Sequence, residues 1–146
     1  MPEDRSKRRN IIFLVFVLIV ATGYYFFISQ GSPSFRFSAQ DRVFSFQGPK
    51  NTEAVFSVDS LLALELYDGT EIAYGEPAGG GKVWGGYHYG TWENASLGEY
   101  EAFASERFST YIIAKDAEKT AIFNTSNAET TRSLYQQLYD FWTANP

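Results

Sequence analysis

One histidine, His88, and no cysteine set the limits on chemistry in this chain. A histidine-based nucleophilic triad would need His88, and no serine sits in a nucleophile-elbow context around it. Without cysteine there are no disulfides, no thiolate catalysis and no cysteine-based metal sites. Glu99 and Glu101 are two apart, so on a strand they share a face and form a candidate acid pair. That alternation is also what a half-exposed strand needs, and solvated outer-face charge is the reading preferred here. Glu65, Asp68 and Glu71 are further carboxylates with no recognisable catalytic spacing. Gly79-Gly80-Gly81 precedes Lys82 but lacks the spacing and the following Ser or Thr of a phosphate-cradling loop. No calcium-loop pattern is present either. The expectation is a protein that is not an enzyme, with no catalytic residues, no metal and no cofactor.

The concentrated feature is aromatic: Trp84, Tyr87, His88, Tyr89 and Trp92 stand among glycines between Asp68 and Ser96. Such rings can anchor a partner protein, stack on sugar rings of a cell-wall glycan, or rest at the outer leaflet of a membrane. They can equally finish a core, as aromatics usually do. This stretch reads as a long loop pinned in places, with Tyr87, Tyr89 and Trp92 as a possible short strand.

The position of these residues follows from the start of the chain. Ile11 to Ile28 (IIFLVFVLIVATGYYFFI) carries no charge. About 18 residues at ~1.5 Å each reach roughly 27 Å, close to the ~30 Å hydrocarbon core of a bilayer. Arg5, Lys7, Arg8 and Arg9 precede it, and the first base after it is Arg36. Basic flanks stay cytoplasmic, so residues 1–10 form an inner tail, 11–28 a single-pass anchor, 29–34 a linker and 35–143 an extracytoplasmic domain. Tyr24, Tyr25, Phe26 and Phe27 fall at the outer interface, where aromatic rings are favoured. The alternative is a cleaved secretory signal ending at Gly23, disfavoured because the apolar run continues through YYFFI.

Beyond residue 28 the chain holds eight bases and fifteen acids, a formal charge of −7. Such a domain has no electrostatic reason to bind nucleic acid or anionic lipid. Its 13 Phe, 10 Tyr and 3 Trp, some of them in the anchor, supply a core without disulfides.

Period-two patterns predict strands at 34–40 (Phe35, Phe37), 42–47 (Phe44, Phe46) and 53–58, where Val55 is expected to be the hidden residue. A further strand is expected at 61–67, with Leu62, Leu64 and Leu66 on one face. Strands at 99–104 and 108–115 follow, the latter paired as a hairpin with 120–124. Ser126 with Glu129 reads as a capping box. It opens a helix whose inner face is Leu134, Leu138 and Phe141, flanked by Tyr135 and Trp142.

About seven strands in meander order with a C-terminal capping helix describe a mainly β domain. The run from Gly86 to Leu138 resembles a bacterial pleckstrin-homology-like family found on membrane proteins. The resemblance rests on YHYGTWENASLGEYEAFA, STYIIAKDAEKTAIFNTS and ETTRSLYQQL, with Tyr89-Gly90, Leu97-Gly98 and Phe123-Asn124 as landmarks. It implies a bent antiparallel β-sandwich or barrel plugged by the helix, and a domain that binds without catalysing. Phosphoinositide-binding relatives use a basic first hairpin. Here the turn is Ala39-Gln40-Asp41 with only Arg36 and Arg42 nearby, so no phosphoinositide ligand is expected. The expected partner is a membrane or envelope protein.

Overall fold

The computed structural model describes the backbone of residues 2–29 and 33–144, and the side chains of 5–23 and 33–144. The chain divides into two compact units, residues 1–30 and 31–146.

The first unit is helix α1, Pro2–Ser29. Proline suits the first turn, where its missing N–H has no intrahelical role. Every residue from Ile11 to Val20 is apolar and between 48% and 68% exposed, so the described part of the apolar run presents no single sticky face. Among the described residues, no helix is long and apolar enough to cross a membrane. The side chains expected to complete an anchor and its aromatic belt, Tyr24 to Ile28, lie outside the described residues, as does most of the 29–34 linker.

The second unit is mainly β with a C-terminal helix. Strands β1 (Ser34–Ser38), β2 (Val43–Gln47) and β3 (Glu53–Ser57) form a small antiparallel sheet. A larger sheet holds β4 (Ala63–Tyr67), β5 (Glu76–Pro77), β6 (Lys82–Trp84) and β7 (Tyr87–Asn94). It also holds β8 (Gly98–Ser105), β9 (Tyr111–Lys115) and β10 (Thr120–Phe123). Its order is β4-β9-β10-β8-β7-β5, with β6 beside β7. The expected meander of about seven strands gives way to ten strands in two sheets. β10 runs parallel to β8, β4 pairs with β9, and among the described residues no pairing closes the sheets into a barrel.

The core lies between the sheets. Phe44, Phe46 and Phe56 from the small sheet meet Leu64, Phe103, Ile112 and Phe123 from the large one. The Phe46 and Phe123 rings stack across the gap with centroids 4.4 Å apart. Helix α2 (Ala128–Ala144) packs on this core with Leu138 buried and Leu134, Tyr135, Phe141 and Trp142 half-buried, as the helical period predicts. Its cap is shifted by one residue from expectation. Asn127, not Ser126, accepts the Thr130 N–H at 2.7 Å, and buried Thr131 bonds back to Asn127 and Thr125.

Two inward assignments are overturned. Register pairs Phe46 with Ala54 and Phe44 with Phe56, so even positions face the core on β3 and Val55 is exposed. Leu62 lies before β4 and is exposed, while Leu61 and Leu64 are buried.

The large sheet is covered on both faces. Its outer face, with Trp92, Tyr100, Ala102, Tyr111 and Ile122, lies under Ile72 and Tyr74 of the segment 68–75. That segment is strapped down at both ends. Asp68 accepts from Arg132 Nε at 2.6 Å, Arg132 Nη2 at 3.0 Å and Thr110 Oγ1 at 2.7 Å. At the other end Asn94 Nδ2 donates to the Ala73 carbonyl at 2.8 Å.

Candidate functional site

The stretch expected to be a long aromatic loop is a pair of antiparallel strands. β6 and β7 join at Gly85-Gly86, both at positive φ, the conformation a tight hairpin turn needs. Four of the five candidate binding residues are buried on β7: Tyr87, His88, Tyr89 and Trp92. Trp84, on β6, is 41% exposed beside Val83 at 50%. The rings thus divide into core and surface.

Successive β7 side chains alternate between faces. Tyr87 and Tyr89 share one, and their rings stack at 6.4 Å. His88, Gly90 and Trp92 share the other, where the Trp92 indole N–H turns back to the Tyr89 carbonyl at 3.0 Å. Gly90 is required twice over. Its φ is +81°, and a Cβ there would run into the Gly80 carbonyl of the segment crossing it.

His88 lies under the strap. Its ring stacks on Tyr74 with centroids 3.4 Å apart and planes 6° apart, and Trp92 sits 4.9 Å away. Tyr100 Oη donates to the Tyr74 carbonyl at 2.7 Å, which fixes the strap from below. His88 is 6% exposed, and among the described residues its Nδ1 has no hydrogen-bond partner. Glu106 Oε2 is 4.0 Å from Nδ1, too far for a direct bond. Burial lowers the His88 pKa below its ordinary value, while the Glu106 charge and the Gly86 backbone pull it upward. The Tyr74 and Tyr87 hydroxyls are also buried without partners, and burial raises both of their pKa values.

A buried polar atom without a partner costs about 1–3 kcal/mol. Of these residues, Tyr74 also lines a cavity of about 450 Å³, with Glu71, Glu106, Arg107 and Phe108 among others, and His88 and Tyr87 do not. Neither Tyr74 nor Glu106 stands near His88 in sequence. The available signals were the two-residue spacing His88-Gly90-Trp92 and the glycines at 75 and 79–81, which let another backbone pass close to β7.

The other carboxylates do not converge on His88. Glu99 is exposed, Glu101 is half-buried with its pKa raised by burial, and Glu65 accepts from the Tyr67 hydroxyl at 2.8 Å. Asp68 is committed to Arg132 and Thr110, which lower its pKa to about 2. Among the described residues, no three His, Asp or Glu side chains gather to hold a metal ion. No protein-family model, curated protein or solved structure matches the chain.

Proposed function

We propose that this protein is a single-pass, membrane-anchored binding module. It contacts a membrane or envelope protein at the outer face of the cytoplasmic membrane and catalyses no reaction. The observation that carries this reading is the exposure of Val83 and Trp84 together on β6, a three-residue strand that pairs with β7. An exposed tryptophan beside an exposed valine on a short outer strand offers the kind of large apolar contact on which protein partners anchor.

Anchoring is supported by α1. Its apolar side chains from Ile11 to Val20 are exposed all round, and a helix of that kind needs lipid or protein around it. The apolar run continues in sequence to Ile28, past the last described side chain of the helix. The bases at 5, 7, 8 and 9 orient the N-terminus toward the cytoplasm. The pleckstrin-homology likeness is supported by two sheets around one core with a C-terminal helix on it. The parallel β8–β10 pair departs from the meander which that likeness implied.

The test is cross-linking of the intact protein in membranes, with Trp84→Ala as the variant. The expected result is a cross-linked protein that is lost in the variant while the thermal melt is kept. Retention of the cross-link in Trp84→Ala removes β6 from the interface. Capture of the domain by isolated wall glycan, with no protein cross-link, replaces the protein partner with a sugar. A reporter active only in the cytoplasm, fused after Pro146, is expected to be inactive, and activity would reverse the orientation.

A further inference from the structure

Resting on the anchored reading above, we propose that the partner engaged at β6 is a protein embedded in the membrane, contacted at the level of the lipid headgroups.

Strand register puts β6 at the end of the β domain where the chain enters. β1 begins at Ser34, which pairs with Gln47, and Gln47 pairs in turn with Glu53. The turn between β2 and β3 therefore stands at the entry end, with Lys50 exposed at its tip. Two contacts fix how the small sheet lies over the large one. Lys119 Nζ sits over the Phe56 ring at 4.8 Å, and Phe46 stacks on Phe123 at 4.4 Å. Since Phe56 is the register partner of Phe44, β2 and β10 run the same way across the core. Gln47 and Asn124 thus finish at one end of the domain. Asn124 exchanges hydrogen bonds with Ser105 at the close of β8. Ser105 pairs with Tyr87, and Tyr87 with Trp84. The exposed pair Val83 and Trp84 is at the entry end with Ser34 and Lys50. The far end carries Leu62, whose N–H donates to the Lys115 carbonyl at 2.8 Å, and Lys115 itself, paired with Thr120 at the start of β10.

The tether turns this register into a statement about the partner. The apolar run ends at Ile28, α1 ends at Ser29 and β1 starts at Ser34. At ~3.6 Å per residue, the connection spans at most ~18 Å. A domain of this size has a radius of gyration of roughly 13 Å, so its two ends lie about 30 Å apart. With α1 in the bilayer, the tether is too short for the domain to invert, and the entry end stays next to the headgroups. A gap no taller than the tether is narrower than a folded soluble domain of about 100 residues. A loop or helix end of a protein already in the bilayer fits it. Tryptophan suits a contact at that level, because its ring is apolar and its N–H is polar.

The chain has no cysteine, so one introduced cysteine gives one label. The full chain is placed in phosphatidylcholine vesicles carrying a nitroxide on the headgroup, with a fluorophore on Lys50→Cys or on Lys115→Cys. Both positions are exposed, one at each end. The expected result is loss of most of the fluorescence at position 50 and little at position 115. Equal quenching at the two positions overturns the proposal and leaves the anchor in place. Release of the whole chain from the vesicles by alkaline carbonate removes the anchored reading, and the proposal with it. A second measurement puts a benzophenone on Val83→Cys in native membranes, with residues 30–33 replaced by a protease site. After irradiation and cutting, the β domain is expected to stay in the membrane through a carbonate wash, held by its adduct, and to be released when irradiation is omitted. Release of the adduct makes the partner peripheral, and retention without irradiation makes the occupant lipid; each overturns the proposal.

Discussion

Replacing His88 by phenylalanine should stabilise the protein, an unusual direction for a substitution at a site 6% exposed. Phenylalanine keeps a flat ring against Tyr74 and Trp92, so most of the packing survives. It removes Nδ1, a buried atom with no partner, and with it a cost of about 1–3 kcal/mol. It also removes the favourable Gly86 backbone interaction, which offsets part of that gain. The net expectation is about 1–2 kcal/mol of added stability near neutral pH. For a domain of this size that corresponds to a rise in Tm of about 3–8 °C.

The pH dependence sharpens the test. His88 titrates below its ordinary value of 6.5 when folded, so between the two values the unfolded chain binds more protons than the folded one. Stability in that window rises with pH and falls as the medium is acidified. The parent should therefore lose stability between about pH 7.5 and pH 5.5, and His88→Phe should lose less over the same interval. Near-UV circular dichroism melts of the full chain at both pH values read both effects. A variant less stable than the parent by more than about 1 kcal/mol, with an undiminished pH slope, would refute the idea that Nδ1 is an unsatisfied buried atom.

Leu138→Ala removes a side chain that is 4% exposed beneath α2, and should cost about 2–5 kcal/mol in thermal or chemical unfolding; an unchanged Tm would mean that the helix does not close the core. Asn124→Ala should cost about 1–3 kcal/mol, because fully buried Asn124 accepts from the Ser105 N–H at 2.9 Å and donates to the Ser105 carbonyl at 3.0 Å, and both would lose their partner. The Asp68 carboxylate, with its pKa lowered from 3.8 to about 2, stabilises the fold fully above its ordinary value. That contribution should vanish as pH falls through about 2, and Asp68→Asn should flatten the acid limb of the stability profile.

Local period made much of the fold legible. The Phe44 and Phe46 face and the Leu134-Leu138-Phe141 stripe show in residue order because each packs one face against one core, and the 111–123 hairpin shows as two apolar runs around a polar turn. Val55 misled because the most β-prone side chain of its strand sits on the solvent face, and register with Phe44 and Phe46 decides the matter. The stretch from Asp68 to Ser96 failed for a different reason. β7 is covered on both faces, so Tyr87, His88 and Tyr89 are all buried and the alternation that marks a half-exposed strand disappears. Glycines that read as loop punctuation were serving close backbone crossings, as Gly75 does against Glu93 and Gly90 against Gly80. The candidate site depended on a pairing fourteen positions apart, Tyr74 over His88, that no spacing rule specifies.

The strap and the end of the chain have a consequence for how the protein is made. β4 pairs with β9 across more than forty residues, and Asp68 is held by Arg132 of α2, 64 residues further on. Phe37 of β1 packs edge-on against Phe141 at 4.9 Å, so the first strand of the domain waits for its final helix. Contacts of such separation form only after long loops have closed, and folds dominated by them complete in roughly milliseconds to seconds. A chain still emerging, from a ribosome or through a translocation pore, has its β-hairpins but not its closed core until α2 is free. Until then the core residues that α2 packs against are uncovered, and that interval is the period in which the protein is most vulnerable to proteolysis and mispairing.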